Sequence, residues 1–234
     1  MMRFGGVALF LAAVAAQAQL SPESLKEFVP QGYKVEKTIS CGLKSREYLV
    51  ALDDADDAGI KSKPVVLLLV AAGKKIAVED RVFPQKDKDG FPNYFDGMTI
   101  ENVDGVALLL FRSISSGGGS GFQTYFDFYK IENKKLRLVK SFERGRMQRS
   151  YFAVYKNAVY DADVVCKRGE KHGKAFVYTC YLLVTKFTYD GTAFHPAGSE
   201  RLHEQQGNRF LEDKYRNMSV LKALQRGEIF AQKP

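Results

Sequence analysis

The chain has 234 residues, with 35 Lys and Arg against 27 Asp and Glu, and a formal net charge of +8. Its 17 Phe and 12 Tyr, with no Trp, favour a packed β-rich chain and exclude a disordered polyelectrolyte. The excess positive charge falls mainly in 126–175 and forms no short dense cluster, so a solvated strand surface accounts for it and no nucleic-acid partner is expected.

The first twenty residues, MMRFGGVALFLAAVAAQAQL, carry one charge at Arg3, an apolar run over 7–16, and the small-x-small pattern Ala16-Gln17-Ala18. That is the plan of a secretory signal peptide cleaved after Ala18. The run falls short of the ~20 apolar residues that a spanning helix needs, and no later stretch reaches that length, so the mature chain is expected to carry no transmembrane segment. The sequence therefore predicts a signal peptide over 1–18 and a single β-rich domain over 19–234, periplasmic or secreted.

Ser21-Pro22-Glu23 opens a short helix with a hydroxyl cap, a proline at the first turn and an acid near its positive end. Pro30 and Gly32 stop it. Strands are expected over 33–39 and 47–52, and the run PVVLLLVA at 64–71 reads as a buried central strand, too short for an ordinary helix. Another follows at 75–81, then a long polar loop over 84–97. A meander is expected from 106–111, 122–131 and 136–142. Within FQTYFDFYKI aromatics occupy both faces, which fits a strand covered on both sides or one bearing an exposed aromatic row. Further strands are read at 151–155, 158–166 and 175–189, with Asp190-Gly191 turning into a short strand at 193–195. The segments 199–206 and 219–226 each permit one or two helical turns, with Gly227 as a stop.

Four sets of residues are candidates for chemistry. The stretch from Arg112 to Phe128 holds four glycines and four serines between two strands. It lacks the lysine of a GxxxxGKS/T phosphate loop, and Phe122 stands where a GxSxG elbow needs glycine. It remains a plain connector or a passive ligand-binding loop, with Ser115, Ser116, Ser120, Gln123 and Tyr125 as the contact residues. The acidic run Asp53-Asp54-Ala55-Asp56-Asp57 places Asp54 and Asp56 as weak calcium candidates, but Ala58 stands where a further oxygen ligand is needed, so no metal and no cofactor is expected. Glu200, His203 and Glu204 could share a helical face with His195 nearby, the basis for an alternative reading as a hydrolase assembled from distant residues. Cys41, Cys166 and Cys180 follow the leader; export permits a disulfide, and Cys166 with Cys180 is the favoured pair. A tight turn near Glu170-Lys171 would set Cys166 opposite Ala175, so that pairing calls for a bulge or a wider loop.

The order of these features resembles uncharacterised exported bacterial proteins similar to the FG-GAP, or integrin-alpha-like (VCBS-type), β-propeller repeats. Phe28-Val29-Pro30-Gln31-Gly32-Tyr33, Tyr48-Leu49-Val50-Ala51-Leu52, Pro64 to Leu69, Phe95-Asp96-Gly97-Met98 and the strand at 125–129 carry the likeness, over roughly 24–144. It implies strand repeats and export. Members often carry an acidic calcium loop after the first long strand, whereas Cys41-Gly42-Leu43-Lys44-Ser45-Arg46 holds no acid, so the resemblance implies no calcium there. It supplies no catalytic residue.

Together these readings predict a mainly β fold, an antiparallel meander in open or propeller-like arrangement with short N- and C-terminal helices. The expected role is a non-catalytic periplasmic or secreted binding or structural module, with an envelope protein or polysaccharide as partner. The hydrolase around His195 and His203 is the alternative.

Overall fold

The structure, a computed structural model, describes residues 20, 22–41, 47–54, 64–72, 75–82, 93–115, 123–172, 175–207, 215 and 218–230. The expected leader over 1–18 lies outside them. The described chain is mainly β and antiparallel, with one short helix near each end: α1 (Pro22–Leu25) and α2 (Val220–Arg226).

Among the described residues twelve strands form three sheets of four, each built from consecutive strands. The first comprises β1 (Tyr33–Cys41), β2 (Glu47–Asp54), β3 (Val65–Ala72) and β4 (Lys75–Val82). The second comprises β5 (Asn93–Val103), β6 (Val106–Ser115), β7 (Gln123–Glu132) and β8 (Lys135–Gly145). The third comprises β9 (Phe152–Tyr155), β10 (Ala158–His172), β11 (Ala175–Tyr189) and β12 (Phe194–Gly207). Local turn chemistry makes this order. Asp104-Gly105, Asn133-Lys134 and Lys156-Asn157 each hold two successive positive φ angles, the twist that a two-residue hairpin needs.

The sheets stack face to face, and the alternation along each strand decides which layer a side chain enters. In β2, Leu49 and Ala51 point to the second sheet while Tyr48, Val50 and Leu52 point to α1. In β6, Leu109 and Phe111 join the layer shared with the first sheet, and Leu108 and Leu110 join that shared with the third. The outer face of the third sheet is closed by Tyr215, Val220, Ala223 and Leu224. Four apolar layers thus separate α1, three sheets and α2. The middle sheet is covered on both sides, which explains the aromatics on both faces of β7: Phe126 and Phe128 pack toward the third sheet, Tyr129 toward the first.

Aspartates staple one sheet to the next. Asp53 accepts the Phe95 amide at 2.9 Å, Asp80 the Leu136 amide at 2.6 Å, and Asp104 the Tyr189 amide at 2.7 Å. Each satisfies a backbone donor at the end of an interface, where leaving it bare would cost about 1–3 kcal/mol.

Several sequence expectations are corrected. The loop expected over 84–97 ends early, because Asn93 to Gly97 open β5, which Asp104-Gly105 pairs with β6. The helix expected over 199–206 is the middle of β12, and the short strand at 193–195 is its first residues. Its Glu, Gln and Arg favour a helix, yet β12 is an edge strand: Leu202 packs inward and the polar residues face water. The helical reading of 219–226 holds, with Ser219 Oγ accepting the Lys222 amide and Gly227 in the left-handed conformation.

Cys166 and Cys180 are bonded and stand directly opposite in the β10–β11 ladder, their Cα atoms 4.1 Å apart. His172 pairs with Ala175, so the ladder runs on past 170–171, and a bulge between Arg168 and Lys171 supplies the extra residue that brings the cysteines level.

Candidate functional site

Three of the loop residues nominated from sequence meet on one face of the second sheet; Ser116 and Ser120 lie outside the described residues. β6 and β7 are antiparallel neighbours, so the glycine-serine segment connects two strands of a meander. Ser115 is fully buried in β6, and Tyr125 donates to Gln123 Oε1 at 2.9 Å on β7. Ser113 and Asp127 share that face, turned toward the first sheet. The Ser113 hydroxyl is buried without a hydrogen-bond partner among the described residues. Burial pushes the Asp127 carboxyl up to about 6, opposed by a hydrogen bond from Ser141. Ser113, Ser115 and Asp127 are buried on this face, whereas Gln123 and Tyr125 are half-buried.

The opposite face of the same strands opens into a cleft of about 300 Å³ between the second and third sheets. Its floor is Leu110, Phe126, Phe152 and Val154, with the rings of Phe126 and Phe152 stacked at 4.0 Å. Leu221 of α2, 38% exposed, forms part of the rim. Arg112 and Arg149 enter from one end with Asp96, and Glu101 lines the wall farther along β5.

Two arginines play different parts. Arg149 donates from Nε to Thr124 at 2.8 Å and stands 3.5 Å from Asp96, which holds it as a bracket. Arg112 has no hydrogen-bond or ion-pair partner among the described residues. Its guanidinium folds across the backbone of Gly97, its register partner on β5, where any Cβ would stand 2.3 Å from Nη2. A side chain at 97 would push the arginine head out of this position, so glycine is what lets the guanidinium lie there. Asp96 is the extra residue of the bulge that turns β5 at this point. Beyond the cleft, Arg144 of β8 binds Asp161 and Asp163 of β10 and seals this end of the interface.

His195 and His203 are not brought together. His195 contacts Asp190 at 2.8 Å in the exposed β11–β12 turn, where hydrogen bonds from the Thr192 hydroxyl, the Ala193 and Thr192 amides and His195 hold the Asp190 carboxyl well below the usual range. His203 lies 3.7 Å from Glu228, beside a second cavity of about 290 Å³ that also takes in Lys222 and Arg226. The two imidazoles are separated by on the order of 25 Å of strand. Glu200 is drawn elsewhere and accepts the Phe230 amide. Asp54 ends β2 and Asp56 lies outside the described residues; among the described residues no group of three or more His, Cys, Asp or Glu converges for a metal. Cys41 is a buried free thiol whose pKa burial raises to about 12.

The cleft residues were not among those singled out from sequence. One signal was present: Arg112 interrupts the run Leu108-Leu109-Leu110-Phe111, where a charge within a buried strand marks a special environment. Asp96 and Arg149, 53 residues apart, had no such mark. Comparison with protein-family models, curated proteins and solved structures found no match.

Proposed function

We propose that the chain is a non-catalytic binding module of the periplasm or the cell exterior, and that the cleft between the second and third sheets is its ligand site. The observation that carries this reading is the Arg112 guanidinium, held over Gly97 with no partner among the described residues, at the edge of an apolar floor. An arginine half withdrawn from water and left without an acid is set up to receive one from outside. The partner class is an envelope protein or polysaccharide.

The three successive four-stranded meanders support the likeness to propeller repeats, since such a meander is the unit from which propellers are built. Here the stack is short and both of its outer faces are covered by terminal segments. Export is supported by the leader-like first eighteen residues and agrees with the Cys166–Cys180 disulfide. No helix among the described residues is long and apolar enough to cross a membrane.

The test is retention. Immobilised mature protein is passed over fractionated envelope extract, beside an Arg112→Gln column whose fold has been checked by circular dichroism. The wild-type column should hold a component that the variant column releases. Equal retention on both, or none on either, would remove this reading.

A further inference from the structure

We propose that the ligand of this cleft is a monocarboxylate carried on a compact apolar group, as found at the end of a polypeptide finishing in a large apolar residue. The proposal rests on the cleft being the binding site and adds the chemistry of what enters it.

Charge selects the head group. A planar guanidinium without a partner matches a carboxylate or a phosphate in two-point geometry. The rest of the lining decides between them. Asp96 is beside Arg149 at the same end, and Glu101, itself without a partner among the described residues, lines the wall about 13 Å further along β5. Two cations and two anions sum to zero before a ligand enters, so every negative charge beyond the one that pairs with Arg112 is opposed by the lining. A monoanion meets that guanidinium, and the second charge of a phosphate monoester, or the further charges of a polyanion, have no cation left and face both carboxylates.

Shape selects the tail. Leu110, Phe126 and Phe152 are each less than a tenth exposed and present carbon alone, with Val154 beside them. The volume, about 300 Å³, lies at the small end of ligand pockets, which suits one aromatic or branched side chain and not a nucleotide or an oligosaccharide. Leu221 extends the apolar surface to the rim, and Ala153 and Val154 belong to β9, an edge strand of the third sheet. An extended chain leaving the cleft therefore runs along a strand edge that has no partner strand among the described residues, a familiar way for a sheet to hold a peptide.

Calorimetric titration of the mature protein with four probes tests the idea: N-acetyl-phenylalanine, its C-terminal amide, a blocked hexapeptide ending in a free phenylalanine, and galacturonate. The free acid should bind with a Kd of roughly 0.1–1 mM, as expected for so few heavy atoms. The amide should bind at least tenfold more weakly, and the hexapeptide at least tenfold more tightly than the single residue. Arg112→Lys keeps the charge but loses the fork, and should weaken the free acid about tenfold. Leu221→Ala, at an exposed position, should weaken it a few fold without disturbing the fold. Equal binding of acid and amide, or tighter binding of galacturonate than of N-acetyl-phenylalanine, would overturn the proposal. A hexapeptide no tighter than the single residue would move the ligand to a free small acid and overturn the chain-end assignment. If none of the probes binds while the envelope column still distinguishes wild type from Arg112→Gln, this inference falls and the binding module stands; if the columns also fail, both fall.

Discussion

Arg144 on β8 grips Asp161 on β10 through two guanidinium nitrogens, and the two side chains are only 12% and 13% exposed. The pair joins the edge strand of the second sheet to an inner strand of the third. Removing one partner leaves the other buried and uncompensated, which costs about 3–5 kcal/mol, whereas an apolar pair of similar volume is often tolerated. Arg144→Ala should therefore lower unfolding stability by about that amount, and Arg144→Met with Asp161→Leu should recover most of it. Urea denaturation of the three proteins measures the difference; a loss below about 1 kcal/mol in the single variant would show the pair to be incidental.

Asp127 makes stability depend on pH in a direction opposite to most carboxylates. Its folded pKa, about 6, lies above the ordinary 3.8, because burial disfavours the anion. The native state therefore holds this proton more tightly than the unfolded chain does. The group costs nothing below about pH 4, where both states are protonated, and its penalty grows as pH rises through 6. Asp127→Asn should stabilise by up to about 3 kcal/mol at pH 7.5 and by almost nothing at pH 4. A gain of equal size at both pH values would disprove the titration account.

The Cys166–Cys180 bond closes a hairpin, and the chain-entropy estimate for a loop near this length is about 3 kcal/mol. Replacing both cysteines by alanine should lower stability by roughly that much, and reductant should mimic the change in the native protein. Cys41, buried and with its pKa raised to about 12, should resist iodoacetamide at pH 8 until the chain is denatured. Peptide mapping without reduction reads both results; rapid labelling of native Cys41 would contradict its burial.

Tyr215 is fully buried, and its hydroxyl lies 2.6 Å from the Cys180 carbonyl and 2.5 Å from that of His203. It ties the closing segment to β11 and to the irregular part of β12, where His203 takes a positive φ. Tyr215→Phe keeps the ring and removes the hydrogen bonds, for an expected loss of about 1–3 kcal/mol. Amide exchange should quicken across β12 more than across β10; a uniform change would point to a global effect instead.

Much of the architecture was written locally. Strand-length apolar runs separated by hairpin dipeptides are sufficient for consecutive antiparallel pairing, because each turn brings together segments already adjacent in sequence. Val65 to Ala72, Ala175 to Tyr189 and the helix closed by Gly227 were legible for that reason. Local signals misled at 199–206, where helix-favouring residues are held in a strand by β11, and at 93–97, where polar residues hide an edge strand. In both cases a partner strand outweighed propensity.

The sequence by itself determined that the chain is β-rich and that its strands pair in order, and it favoured Cys166 with Cys180 as the bonded pair, although the bulge that sets them level was decided by the β10–β11 register. The layering was decided only in three dimensions. Which face of β7 meets which sheet depends on stacking between meanders that no turn connects, and the alternation of aromatic residues reads the same whether a strand is covered once or twice. The cleft follows the same logic. Arg112, Gly97, Asp96 and Arg149 come from three separate elements, and only the packing of the third sheet against the second makes them walls of one space.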